Sequence, residues 1–417
     1  MRTSVLTLVL VFCSLRCHAQ LSVEQYQRRV EEYSYALLSN QWAIDAAEAG
    51  LRRAKIGYLP RLDAAGDFRV NFRGQRTDDG TRIKPYTYSL APVISGRIYD
   101  GGTTRAAIGQ ARAEVERTHA YEEFTRSEVL YIAEYAYWNA LATQLLERVR
   151  EHYTEIVSSL KALVEARFED GYTGKGDLLM VETQLNEAIY NQIVSEQTAL
   201  RARHNLNVLM GEAPDALWRL TDSLTTPVTL PSRISLDSVL ARRGDLRAAM
   251  ASVEHASWGV KGARAAYNPT ISMDIAGVLS PDAPNTRNRL KVNGSAGIAI
   301  NIPIFAWGER RQSVRIAEAA MMQSLLAAGD LRDQITLEEA DSWSDVEQAY
   351  REVEQIEASL AIATENLSLA TFSYSEGQIS VLDVLSAQLS WIQLYTNAIG
   401  THLSLRDALA RYRKATG

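Results

Sequence analysis

Two hydrophobic periods take turns along the chain, and each occurs in two places. Between positions 64 and 73, Ala64, Gly66, Phe68, Val70 and Phe72 interleave with Ala65, Asp67, Arg69, Asn71 and Arg73. A period of two gives a strand one apolar and one polar face. From Leu290 to Ile304 the same alternation sets Leu290, Val292, Ala296, Ile298, Ile300, Ile302 and Ile304 against Lys291, Asn293, Ser295 and Asn301. Tyr86, Tyr88, Leu90 and Ile94 form a weaker version, as do Ile271, Met273, Ile275 and Leu279. Four strands are therefore predicted. At roughly 3.3 Å per residue and a tilt near 45°, ten residues cover about 23 Å, close to the apolar band of a bilayer. Four strands are too few to close a barrel, so a pore needs several chains. The stretches Gly74 to Lys84 and Ser280 to Arg289, rich in Asp, Arg, Asn, Gly or Pro, are the expected loops within each strand pair.

The second period is helical. Gly102 to Gly171 and Gly308 to Gly377 are each 69 residues apart with no proline between. At about 1.5 Å per residue, a helix of that length runs on the order of 100 Å. Val353, Ile356, Leu360, Ala363, Leu367, Ala370 and Tyr374 recur at alternating steps of three and four. Leu146, Val149, Tyr153, Ile156, Leu160 and Leu163 do the same. Both are the narrow seam of a coiled coil.

These elements repeat in order. Pro60 and Pro269 close similar approaches to a strand at an offset of 209, and Gly102 matches Gly308 at 206. Gly171 with Asp177 matches Gly377 with Asp383, again at 206. The expected organisation is a first repeat over 20–210, a polar linker over 211–233 and a second repeat over 234–417. Each repeat holds a helix, a strand pair and two long helices.

Residues 1–19 have the form of a secretory signal, with Arg2, an apolar run from Val5 to Leu15, and Cys17-His18-Ala19 before the cut. Phe12 precedes Cys13 and Arg16 precedes Cys17, so no lipid anchor is expected. Both cysteines fall inside the segment, which leaves the exported chain without thiol or disulfide. Losing Arg2 and Arg16 takes the formal charge from −6 to −8, and an acidic chain without a basic run is not a nucleic-acid binder.

Together these features resemble the TolC outer-membrane efflux family over essentially the whole mature chain. The strand-exit motif of that family, an apolar pair before Asp-Gly-Gly, stands as Ile98-Tyr99-Asp100-Gly101-Gly102. Its second copy is Ile304-Phe305-Ala306-Trp307-Gly308, where Ala306 and Trp307 depart from the pattern. The tip signature, Tyr-x-x-Gly followed by Asp-Val-Leu, stands as Tyr374 to Gly377 and Asp383 to Leu385. The resemblance implies an α/β membrane channel: four strands from each of three protomers close an outer-membrane barrel, and long coiled-coil helices continue it as a periplasmic tunnel. It implies a homotrimer in outer-membrane lipid, a periplasmic adaptor, and an inner-membrane pump of RND type that drives passive export of small molecules. Asp383 and Tyr374 are then entrance residues; in the family the tyrosine has a basic partner, where Ile379 stands here. Gly171, Lys175, Gly377 and Gln378 are expected at adaptor-contacting tips. Within the family the alternative is the exit duct of type I protein secretion. From another class, a secreted coiled-coil structural or adhesive protein would explain the seams but not four alternating strands.

No constellation for catalysis is present, so an enzyme and a cofactor are not expected. Gly171-Tyr172-Thr173-Gly174-Lys175-Gly176 looks like a phosphate loop, but Glu169 takes the place of the first glycine and Gly176 that of the Ser or Thr. The histidines lack metal-site spacing. Met321-Met322 offers soft sulfur, but neighbours on a helix point apart. The signal reading is checked by N-terminal sequencing of the protein from outer-membrane fractions, which should begin at Gln20 with no lipidated cysteine.

Overall fold

The computed structural model describes residues 20–417; the expected signal segment, with both cysteines, lies outside them. In chain order the elements are β1 (Gln20–Leu21), α1 (Val23–Tyr33), α2 (Tyr35–Ile56), β2 (Arg61–Val70), β3 (Tyr86–Tyr99), α3 (Thr103–Glu169) and α4 (Lys175–Leu209). Then follow β4 (Arg219–Leu220), α5 (Leu236–Arg242), α6 (Gly244–Ala265), β5 (Thr270–Pro281), β6 (Leu290–Asn301), α7 (Glu309–Ser375) and α8 (Val381–Thr416). The order of two helices, strand pair, very long helix and shorter helix occurs twice, with α1 and α5 standing before the one helix expected in each repeat and the short β1 and β4 outside the expected plan, β4 within the expected linker. Both α3 and α7 contain 67 residues, or about 100 Å of helix.

The chain forms two compact units, one of residues 20–38, 125–239 and 335–417, the other of 39–124 and 240–334. Both α3 and α7 begin in the second unit and end in the first.

The second unit holds one antiparallel sheet ordered β2-β3-β5-β6. Its register carries the sequence alternation across all four strands. Leu62↔Ile94, Gly66↔Leu90 and Phe68↔Tyr88 share a face with Ile94↔Ile275, Ile275↔Ala296 and Ile271↔Ile300. No residue in register on that face carries a charge. Arg61, Asp63, Asp67, Arg69, Arg97, Asp274 and Lys291 all lie on the other. The strand ends differ from the expected ones for a shared reason. β2 stops at Val70 although the alternation runs to Arg73. Asn71 donates its N–H to the Pro85 carbonyl oxygen at 2.6 Å, but Pro85 has no N–H to return and the ladder ends. β6 stops at Asn301, so Ile302 and Ile304 fall outside it, because Pro303 cannot continue the ladder. At the far loop Ser280 and Pro281, expected in the loop, remain in β5 through Ser280↔Lys291 and Pro281↔Leu290.

The first unit is a helical core. On α7 the expected seam is the buried face: Ala363, Leu367 and Tyr374 are buried, Val353, Ile356, Leu360 and Ala370 partly so, and most residues between are exposed. On α3 the stripe is wider than the expected seam. Val157 and Val164 are fully buried, whereas Ile156 and Leu163 are only half-buried. α3 is covered from two sides here. The Tyr153 hydroxyl accepts from Gln184 of α4 at 3.0 Å, and the Tyr153 ring stacks 6.5 Å from Trp391 of α8. A helix flanked by two neighbours needs a broad apolar face rather than a two-position seam.

The polar stretch after α4 is strapped to this unit. β4 pairs in parallel with β1, and the Asp222 carboxylate accepts from the Val23 N–H at 2.9 Å and the Tyr137 hydroxyl at 2.6 Å. Further on, Arg233 makes a two-pronged contact with the buried Glu339 at 2.9 and 2.8 Å. Such bidentate pairs hold direction as well as distance.

The assigned faces are testable at mid-strand. Ile275→Arg should cost about 2–4 kcal/mol of membrane-inserted stability, while Ala276→Arg on the charged face should cost far less. Heat-modifiable oligomer bands from outer-membrane fractions measure both; equal losses would mean that both faces are packed, and a larger loss from Ala276→Arg that the faces are reversed.

Candidate functional site

The two helix hairpins of the first unit end in the same backbone device. After α3 the Gly171 N–H bonds the Phe168 carbonyl oxygen at 3.1 Å and the Tyr172 N–H that of Arg167 at 2.8 Å. After α7 the Gly377 N–H bonds Tyr374 and the Gln378 N–H bonds Ser373, both at 2.9 Å. These are paired 5→2 and 6→1 closures, which need a left-handed residue after the helix. Gly171 at φ 79° and Gly377 at φ 77° supply it, and no atom lies within 4 Å of where a Cβ would stand. Glycine serves conformation there, not space.

The tips meet in a groove of about 600 Å³ lined among others by Arg167, Asp170, Asp177, Tyr374 and Ser380. Its centre is Tyr374, 4% exposed. The Arg167 guanidinium lies 4.7 Å from the Tyr374 ring centre and donates to the Ser375 carbonyl oxygen at 2.8 Å. Burial pushes the Tyr374 hydroxyl up, and Arg167 works against it. The basic partner that the resemblance leaves missing at Ile379 thus comes from α3. Sequence reasoning passed over Arg167 because the equivalent place in the second repeat, 206 positions on, is Ser373, so the repeat comparison gives no signal. Lys175 and Gln378 are fully on the surface of the same tips.

Asp177 and Asp383 occupy the third position of α4 and α8. Asp383 forms a reciprocal cap: its carboxylate accepts from the Ser380 N–H at 3.0 Å and hydroxyl at 2.7 Å, and its N–H reaches the Ser380 hydroxyl at 3.4 Å. Ser380 holds the Asp383 carboxyl below its ordinary range. Thr173 donates its hydroxyl to Asp177, while the cap residue of α4, Gly174, offers no side chain. The structure brings Tyr374, Gly171, Gly377 and the Asp383 turn together; it places Asp100, Gly101, Gly102 and Gly308 in the other unit.

There the first strand-exit turn is built around Asp100, which is buried. Its carboxylate accepts from the Gly102 N–H at 3.0 Å, the Thr103 hydroxyl at 2.9 Å and the Thr104 N–H at 2.6 Å, seating the start of α3. Burial by itself raises the Asp100 carboxyl, but the bonds from Thr104, Thr103 and Gly102 outweigh it and hold the group at about 2. Gly101 has φ 70° and its carbonyl oxygen accepts from the Asn268 side chain at 2.8 Å. In the second copy Ala306 offers no carboxylate, and Trp307 takes the left-handed conformation at φ 46°. A non-glycine residue held there costs on the order of 1–3 kcal/mol.

Among the described residues no group of three or more His, Cys, Asp or Glu side chains could hold a metal ion, and no helix is long and apolar enough to cross a membrane. The family model described as outer membrane efflux protein matches residues 28–212 and 235–417. The chain is 22% identical over 356 residues to the outer membrane efflux protein BepC of Brucella suis, covering 84% of this chain and 76% of that one. It is 27% identical over 361 residues to the cation efflux system protein CusC of Escherichia coli O157:H7, covering 83% and 75%. The solved structure of the outer membrane protein VceC from Vibrio cholerae superposes with a TM-score of 0.81 at 18% identity, over 95% of this chain and 96% of that one.

The cap has a direct test. Ser380→Ala should weaken the first turn of α8 by about 1 kcal/mol, seen as faster hydrogen exchange from Leu382 to Leu385. The Asp383 carboxyl is lowered on folding, so its contribution is complete above the ordinary carboxylate range near pH 4. It is lost as the pH falls through the lower folded value. Wild-type exchange at that turn should therefore rise only in acid, and Ser380→Ala should remove this acid dependence.

Proposed function

The chain belongs to the outer membrane efflux protein family, and from that membership we propose that it is the exit duct of a tripartite system exporting small molecules. It is a channel protein of the Gram-negative outer membrane that extends into the periplasm, and not an enzyme. The observation that carries the proposal is a sheet with one uncharged face and two open edges, in the same chain as two 67-residue helices. Three copies give twelve antiparallel strands, an even number that removes both edges. The charged face then lines water and the uncharged face meets lipid. A coiled-coil structural protein has no use for such a sheet, and the relatives are named for efflux, which favours small molecules over a secreted polypeptide.

In this scheme the tips at Gly171 and Gly377 form the far end of the duct. Lys175 and Gln378, exposed beside them, meet a periplasmic adaptor that joins the duct to an inner-membrane pump of RND type. The energy comes from the pump. Asp383, one from each protomer, forms a ring of three carboxylates that concentrates cations at a narrow entrance, and the Arg167–Tyr374 contact holds the neighbouring hairpin in place. Ring and cap are compatible, because Ser380 engages one carboxylate oxygen, Oδ2, and leaves the other free.

Purified protein in planar bilayers should conduct, and Asp383→Asn should lower cation selectivity in a salt gradient; an unchanged reversal potential would leave Asp383 with its cap alone. In cells, cysteines at Lys175 and Gln378 should cross-link to the adaptor. Cross-links from the loop at 74–84 instead would invert the topology.

A further inference from the structure

The two strand-exit turns are surrounded differently. A Cβ at Gly101 would meet the Ala265 carbonyl oxygen at 2.7 Å and the Asn268 Cβ at 2.8 Å, so the chain itself fills the first turn. The counterpart of Gly101 206 positions on, Trp307, projects into the open, while the second glycines, Gly102 and Gly308, are both nearly free of neighbours, with only the Ala265 Cβ at 3.8 Å from a Cβ at Gly102 and no atom within 4 Å at Gly308. Beside this open turn Ile304, Phe305 and Trp307 are 92%, 73% and 91% exposed, and the two rings touch edge-on at 4.9 Å. Immediately beyond it, Arg310, Arg311 and Arg315 on the first turns of α7 join Arg264 at the end of α6 around a hollow of about 780 Å³. Arg264 is paired with Glu318 at 2.7 Å. The other three arginines are exposed and make no hydrogen bond or ion pair among the described residues.

We propose that this turn is a phospholipid anchor: Phe305 and Trp307 enter the apolar border of the inner leaflet, and Arg310, Arg311 and Arg315 bind the phosphates of anionic headgroups. It rests on the sheet being a membrane barrel, as set out above. The order along the chain is that of a membrane interface. The uncharged sheet face ends at Ile300, the aromatic residues follow, and the guanidiniums come one to two helical turns later, roughly 5–12 Å farther on. A guanidinium grips a phosphate with two parallel hydrogen bonds. Trp307 also occupies a strained position where the first repeat has glycine, and an exposed indole there gains most from an interface. A second copy of the chain is a poorer occupant. The open edge beside this turn is β6, and the other open edge is β2. β2 is entered from the last turn of α2, which carries Arg53 and Lys55, Arg52 before them being paired with Glu48 at 3.2 Å. Bringing that end alongside adds positive charge to positive charge.

The test uses the full-length protein released in mild detergent, incubated with phosphatidylglycerol or phosphatidylcholine, weighed by native mass spectrometry and recorded in bilayers. Wild type should retain phosphatidylglycerol in preference. The combined variant R310Q/R311Q/R315Q should lose that preference by at least about tenfold. Trp307→Ala should loosen both lipids alike, and added inorganic phosphate should not displace the bound lipid. Equal retention by the arginine variant would overturn the anchor. So would displacement by phosphate alone, which means a small-anion site, or dissociation of the variant into monomers, which means a contact between copies. Conductance separates the two levels: a conducting variant with unchanged lipid sinks only the anchor, whereas a wild type that never conducts sinks the channel.

Discussion

Hydrocarbon offers no hydrogen bonds, so every backbone N–H and C=O within a bilayer has to be paired by the protein. The four-stranded sheet satisfies its two inner strands and leaves β2 and β6 each with an open side. Nothing else in the second unit is built to cover those edges, and only further strands can. Self-association and the uncharged face in register across all four strands follow from that one requirement. So does the sharp ending of the strands at Pro85 and Pro303, which stop the ladder where it would otherwise run on.

The helical unit solves a different problem. Two helices of 67 residues cannot be held by their own hydrogen bonds against bending or sliding, so they are fixed by side-chain contact along their length and by hardware at the tip and near the middle. Along the length, fully buried Val157, Val164 and Val181 contribute about 1.5–3 kcal/mol each. At the tip, matching glycine closures turn both hairpins, and the Arg167–Tyr374 contact ties one hairpin to the other. Near the middle of both long helices, the strap after α4 engages Val23, Tyr137 of α3 and Glu339 of α7. Polar chain that a sequence reading takes for a spacer is here a set of directed bonds.

The repeat does not impose identity on its copies. Asp100 and Gly101 make a packed, carboxylate-centred turn in the first half, while Ala306 and Trp307 make an open one in the second. Likewise Ser380 caps α8 through its side chain, where Gly174 leaves α4 without such a cap. Duplicated backbone with diverged side chains gives the chain two inequivalent ends at each level, which a single motif used twice would not.

The sequence by itself determined the repeated order of strand pair and long helices, the strand faces and the length of the long helices, but not β1, β4 or the splitting of the helix before each strand pair. What it determined is a matter of local period: alternation by two has one meaning for a pleated strand, and a proline-free run of 69 residues with seams has one meaning for a helix. The turns at Gly171 and Gly377 were legible for the same reason, since the left-handed closure is local. Tertiary structure alone decided how wide the buried stripe of α3 is, because that depends on α4 and α8 approaching it from two sides. It also decided that Arg167 is the partner of Tyr374, more than two hundred positions away, and that Arg264 joins three arginines of α7 around one hollow. Those are meetings of distant segments. Their geometry is set by packing, and no local period records it.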